Sequence, residues 1–285
     1  MVTIAPVTAR SQFLTFLRRN PTMVVGAALL ALITLAALLA PFIARDPIAF
    51  EPINRLRGPS AEFWLGTDSL GRDVYARMVY GARISLLVGV LVALISIISG
   101  AVIGLLAGYF SKVDVVVMRL MDGIMAIPSI LLAIALVALL GSSVKVVIIA
   151  IAIPEIPRVT RLVRAVVLSV RDLPFVEAAR SNGTRVTKLL RRHILPSTIA
   201  PLIVQATYIC ASAILTEAGL SFLGAGTPPE FPTWGNMIAS SRLYLQIAPW
   251  TIFAPGICLA LVVLAVNLLG DGLRDRLDPR ISRRM

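Results

Sequence analysis

The run ISLLVGVLVALISIISGAVIGLLAG, residues 84–108, has no charged side chain in 25 positions. At about 1.5 Å of rise per residue, some 20 apolar residues in a helix cross the ~30 Å hydrocarbon core of a bilayer. Apolar residues here follow one another instead of alternating with polar ones, so lipid is the solvent that suits the run. Outward from it lie five more: 23–43, 113–140, 144–156, 197–220 and 247–270. Together they predict an all-α membrane protein with six transmembrane helices. The fourth run is short and ends in Pro154-Glu155-Ile156-Pro157. It is expected to continue as helix into Arg158, Arg161 and Arg164, which share one face at i, i+3 spacing.

Composition agrees. Of 285 residues, 58% are hydrophobic and 15% charged, whereas soluble domains carry about a quarter charged. The net charge of +12 would fit nucleic-acid binding, but the basic residues cluster between and beyond the apolar runs, which is a membrane pattern. Run 23–43 follows Arg18 and Arg19 as a signal peptide would, yet at 21 residues it is too long for a signal h-region and has no convincing cleavage site. It reads as a retained span. Cys210 and Cys258 sit in apolar runs, there is no CxxC, and His193 is the only histidine. Buried thiols acting as small hydrophobes are expected, with no disulfide or metal site. No period of 20–50 residues repeats, which excludes a solenoid.

Six spans put both termini on one side. Three basic residues before residue 23, Lys112, nine in 158–192 and five in the tail make 18 lysines and arginines on that side, against eight on the other: six in 45–83, Lys145 and Arg242. The positive-inside rule then expects a multi-pass protein with cytoplasmic termini. The expected layout is a cytoplasmic segment 1–22, a first span 23–43, an extracytoplasmic loop 44–83, a transmembrane domain 84–270 and a cytoplasmic tail 271–285.

Catalytic machinery is missing from the sequence. There is no GxxxxGKS/T phosphate cradle, no GxSxG and no HExxH, so no catalytic residue is assigned, and neither a cofactor nor ATP is expected on this chain. The informative stretch is instead Asp172-Leu-Pro-Phe-Val-Glu-Ala-Ala-Arg-Ser-Asn-Gly183, continuing to His193-Ile-Leu-Pro196. Pro174 suits the first turn of a helix, and Glu177 sits early, where the helix dipole favours an anion. Ala178 and Ala179 leave little bulk against an approaching surface. Gly183 can take φ > 0 and end the helix. A second helix is expected from about Thr184 to just before Pro196, which would open the fifth span. The result is two short helices around a sharp turn, exposed on the basic side.

This stretch resembles the EAA loop of ABC-importer permeases: Glu177, Ala178, Ala179, then Gly183 four residues on, then Leu195-Pro196 twelve residues later. The general pattern has Ile where His193 stands, but His-Ile-Leu-Pro is similar to the peptide-type permeases. Two more blocks narrow the resemblance. One is Trp64-Leu-Gly-Thr-Asp-Ser-Leu-Gly-Arg-Asp-Val-Tyr-Ala-Arg77 with Tyr80-Gly-Ala-Arg-Ile-Ser-Leu86; the other is Ser221-Phe-Leu-Gly-Ala-Gly226 with Pro232-Thr-Trp-Gly235. Both resemble the C-type permease of dipeptide and oligopeptide importers, a family with nickel, glutathione and haem branches.

The resemblance implies a type I ABC importer (MetI-like) core in a bacterial or archaeal cytoplasmic (inner) membrane, with one added N-terminal span and a coupling loop at about 171–196. It implies a heterodimer with a homologous B-type permease, two ATPase subunits that bind ATP and Mg, and an extracytoplasmic substrate-binding protein. The cargo implied is a di- or oligopeptide, with nickel, glutathione or haem as alternatives. An ion-coupled secondary transporter would call for inverted repeats and midplane ionisable clusters, and the sequence has neither. A membrane enzyme would need a nucleophile or metal set, which is also missing.

Physically, Gly66, Asp68 and Gly71 read as turn formers. Residues 74–83 read as a helix at the outer interface, with Tyr75 and Tyr80 at headgroup depth. Loop packing is the preferred role for that block, ahead of direct substrate contact. Asp122 and Glu217 are ionisable groups within apolar runs and so are pathway candidates. Each also has a structural reading: Asp122 pairing with Arg119 one turn away, and Glu217 reaching water from the outer end of its span. Met118, Met121 and Met125 recur at helical spacing beside Asp122, either as packing or as a substrate-tolerant surface. Pro128 is expected to kink the third span.

Overall fold

The computed structural model describes residues 21–277. The 1–20 part of the N-terminal segment and the 278–285 part of the tail, with their basic residues, lie outside the described residues. In chain order the helices are α1 (Pro21–Ile43), α2 (Val74–Tyr109), α3 (Ser111–Met125), α4 (Ser129–Leu140), α5 (Val144–Val170), α6 (Pro174–Ser181), α7 (Val186–Leu189), α8 (Leu195–Phe222), α9 (Trp234–Ser241) and α10 (Trp250–Leu277). Among the described residues there is no strand.

Four helices are long and apolar enough to cross a bilayer: α1, α2, the continuous stretch from α7 through α8, and α10. The α3–α4 pair makes a fifth if counted as one bent span. The sixth long helix is α5, 27 residues, whose apolar character is interrupted by Glu155, Arg158, Arg161 and Arg164. It runs unbroken through Pro154 and Pro157 into those arginines, so the short fourth run is only its first half.

The core is built on α2 against α5, and small residues set their separation. Gly100, Gly104 and Gly108 of α2 face Val159, Val163 and Val167 of α5. A Cβ on Gly100 would lie 2.5 Å from the Val159 Cβ, and one on Gly108 2.6 Å from that of Val167. In lipid no hydrophobic force drives helix pairing, so close van der Waals approach through small residues does that work. Val159, Val163 and Val167 are fully buried, in one cluster with Ile151 of α5, Ile209 of α8 and Val137 of α4. A second cluster joins α1, α2, α8, α9 and α10 through Ala37, Val74, Ile214, Trp234 and Val262.

Three expectations are corrected. Run 113–140 is two helices, α3 and α4, bent 87° apart, so the break at Pro128 is sharper than the expected kink. Pro128 has no N–H to give and pushes Ile127 out of helical backbone, so the chain turns there instead of bending. Residues 74–83 are not a separate interfacial helix but the first turns of the 36-residue α2. At about 54 Å that helix exceeds the hydrocarbon core and projects beyond it. Its start is marked by Asp73, whose side chain accepts from the Tyr75 N–H at 2.9 Å. Finally, the chain does not break before Pro196: α7 passes through a π-helical turn, Leu190–Ile194, straight into α8. Pro196 is in the first turn of α8, where its missing N–H costs little.

The block before α2 is held by Asp68. Its carboxylate accepts from the Leu70 N–H at 2.8 Å, the Arg72 N–H at 3.0 Å and Arg72 Nε at 2.7 Å. Arg77, 2% exposed, approaches it at 3.7 Å and donates to the Pro47 carbonyl at 3.3 Å. Gly66 and Gly71 take φ of +71° and +77°, which suits turn formers. A Cβ on Gly71 would also meet the Glu51 carbonyl. These contacts run within the loop and to Arg77 in the first turns of α2.

Candidate functional site

The EAA stretch forms a helix-turn-helix at one end of the bundle. Pro174 occupies the first turn of α6 and Glu177 lies in that turn. At the far end, the Gly183 N–H donates to the Arg180 carbonyl at 3.0 Å and the Thr184 N–H to the Ala179 carbonyl at 3.1 Å. Gly183 has φ +72°. This pair of bonds is a Schellman turn, which satisfies the last carbonyls and demands a left-handed residue.

Val176, buried, anchors α6 to the main core together with Leu189 and Ile194, and Ala179 packs against them. Glu177 and Ala178 point away and are exposed, as are Leu173 and Phe175. The motif therefore splits by face: Val176 and Ala179 hold the helix down, while Leu173, Phe175, Glu177 and Ala178 form a free surface. Gly183 is exposed, Leu195 half-buried and Pro196 exposed, with the last two at the start of α8. Val176 and Phe175 escape a motif-based reading, though a one-residue offset already turns them about 100° apart on a helix.

Behind this loop, α5 is tied to α3 by charge. Arg164 makes a bidentate pair with Asp114, Nε to Oδ1 at 2.5 Å and a terminal nitrogen to Oδ2 at 2.6 Å. Arg161 bonds Asp122 at 2.5 Å. This corrects the expected Asp122–Arg119 pairing, because Asp122 is drawn to the neighbouring helix instead of along its own. Arg158 pairs with Glu155 at 2.9 Å, and Arg171 donates to the Gly108 carbonyl at 3.0 Å. These contacts join α5 and the start of the loop to both α2 and α3.

The pathway candidates separate by exposure. Asp122 and Met125 are exposed, whereas Met121 is buried. Glu217 does not reach water, as one reading of it had expected, but is fully buried. Its Oε1 accepts from Ser221 at 2.9 Å and from Thr227 and Thr233 at 3.1 Å each. It closes the 221–235 block over the end of α8. Gly226 is required there because a Cβ would strike Ser221. Among the described residues no group of His, Cys, Asp and Glu is arranged to hold a metal ion.

Residues 100–283 match the family described as binding-protein-dependent transport system inner membrane component, and residues 9–59 match the N-terminal TM domain of oligopeptide transport permease C. The chain is 60% identical over 267 residues to a probable peptide ABC transporter permease protein y4tQ of Sinorhizobium fredii, covering 94% of this chain and 92% of that one. It is 46% identical over 268 residues to the dipeptide transport system permease protein DppC of Alkalihalophilus pseudofirmus, covering 93% and 88%. It is 42% identical over 271 residues to the glutathione transport system permease protein GsiD of Pectobacterium atrosepticum, covering 94% and 89%. Its fold is that of a chain of the MetNI methionine ABC transporter in inward-facing conformations, with TM-score 0.57 over 70% of this chain and 96% of that one at 18% identity. The expected type I permease core is therefore present, and the chain belongs to the family of binding-protein-dependent transport system inner-membrane permeases.

Proposed function

We propose that this chain is the C-type permease subunit of an ATP-driven importer of di- or oligopeptides, and that the exposed face of α6 is where ATP hydrolysis is coupled to transport. The observation that carries the reading is the split of the EAA helix: Val176 and Ala179 anchored in the core, Phe175, Glu177 and Ala178 presented outward. A free face of small, apolar and anionic side chains on a rigid support suits insertion into a groove of a partner. In this reading two ATPase subunits bind ATP and Mg and clasp α6. A homologous B-type permease completes the pathway, and an extracytoplasmic binding protein delivers cargo. The chain is a transport subunit and not an enzyme. Both termini and Gly183 face the cytoplasm, as the basic 158–192 stretch favours.

Peptide cargo is supported by the names of the relatives at 60% and 46% identity. The glutathione permease at 42% fits the same class, glutathione being itself a tripeptide derivative. Asp122 and Met125, exposed beside one another, are the proposed pathway residues; Met121 is buried in the same helix, and Glu217 holds the 221–235 block over α8.

The test is Glu177→Arg in the reconstituted complex. The variant is expected to insert and to co-purify with the partner permease, because α6 lies outside the apolar runs. It is expected to lose peptide uptake and substrate-stimulated ATP hydrolysis together. Normal uptake by a fully assembled variant would reduce α6 to a connector.

A further inference from the structure

A groove of about 570 Å³ runs between α1, α2, α8 and α10. Its walls include Leu38 of α1 and Leu87, Val90 and Leu94 of α2, all exposed. Ala37 and Ala93, both buried, contribute its floor, where larger side chains would close it. These residues lie at hydrocarbon depth, within runs free of charge. At one end stands Arg83, the last charge before the uncharged run 84–108.

Arg83 also lines an adjoining bowl of about 630 Å³ with Pro41, Ala44, Asp46, Tyr80 and Pro232. The bowl begins where α1 ends at Ile43, so it sits where the chain leaves the hydrocarbon. Arg83 lies over the Tyr80 ring, 5.9 Å from its centroid, and makes no ion pair among the described residues. The Asp46 carboxylate accepts the Ile48 N–H at 2.9 Å and likewise has no ion pair among them. Opposite charges thus face one bowl without neutralising each other.

We propose that this is a binding site for one zwitterionic phospholipid: an acyl chain in the groove, the phosphate on Arg83 and the headgroup ammonium towards Asp46. A partner helix laid along the groove would fill the apolar trough and leave the charged bowl unanswered, whereas one amphiphile satisfies both. The proposal rests on the membrane-spanning assignment and is independent of cargo and coupling.

The experiment is native mass spectrometry of the purified transporter complex, delipidated and reloaded with phosphatidylethanolamine or phosphatidylglycerol. One lipid per copy of this chain is expected, with phosphatidylethanolamine preferred. Val90→Trp, filling the groove, is expected to lower retention of both lipids by about tenfold, and Arg83→Gln to do the same. Asp46→Asn is expected to abolish the preference alone. Leu87→Trp serves as a second groove-filling variant if Val90→Trp does not assemble. Undiminished lipid in the groove-filling variants would overturn the site. Equal retention of the two lipids by the unaltered chain would overturn the headgroup assignment. A Val90→Cys variant that cross-links to a partner subunit would show the groove to be a protein interface and overturn the lipid occupant.

Discussion

Gly183 shows how one residue can carry an element. Nothing lies within 4 Å of a Cβ built on it, so a side chain there is opposed by backbone conformation alone. Gly183→Asn, a residue that tolerates φ > 0, is expected to keep near-normal uptake, while Gly183→Val should strain the turn by about 1–3 kcal/mol and displace α6. Uptake and ATP hydrolysis of the two reconstituted variants, side by side, check this; equal loss in both would mean that φ is not what matters. Glu217 is the converse case, a residue defined by its neighbours. Glu217→Ala leaves the hydroxyls of Ser221, Thr227 and Thr233 without their acceptor and is expected to cost about 2–3 kcal/mol, whereas Glu217→Gln retains a carbonyl oxygen and should cost less. Thermal unfolding of the detergent-purified complex reports the difference. An alanine variant as stable as the glutamine variant would remove the closing role assigned to this carboxylate.

At the scale of elements, α2 and α5 meet through the glycine row of Gly100, Gly104 and Gly108. A Cβ on Gly104 would lie 2.7 Å from the Thr160 carbonyl oxygen and 2.8 Å from the Val163 Cβ. Gly104→Val is therefore expected to destabilise by about 1–3 kcal/mol or more through overpacking. Gly123 of α3 has open space around it, so Gly123→Ala should be neutral or stabilising by about 0.5–1 kcal/mol, because alanine suits a helix interior better. Melting temperatures of the two variants test the contrast, and a Gly104→Val chain that melts normally would refute close packing at this crossing. The four-residue spacing of these glycines is legible in the sequence as a helix-pairing face. Its partner is not, since nothing local to α2 says that Val159, Val163 and Val167 will be opposite.

For the whole molecule, cysteine labelling tests the proposed orientation. With Cys210 and Cys258 replaced by alanine, Glu230→Cys should react with an impermeant thiol reagent from outside intact cells. Ser181→Cys should react only after permeabilisation, and its labelling from outside would invert the orientation and remove α6 from the ATPase side. By itself the sequence determined the solvent of this protein, most of the runs apolar enough to cross it, the glycine that ends α6 and the motif that places the chain in its family. Each of these depends on residues near one another in the chain: unbroken apolar length, a left-handed turn, a fixed spacing. Only the tertiary structure decided where the charges in the spans go. Asp122 lies one turn from Arg119, yet meets Arg161 from 39 residues away. Glu217 is an acid in an apolar run on any local reading, and becomes the buried acceptor of three hydroxyls once the 221–235 block folds back over it. The bend at Pro128 was expected as a kink, and only the folded chain gives its 87°. Burial and ion pairing depend on which distant segment arrives, and that is settled when helices such as α2 and α5 close on one another in lipid.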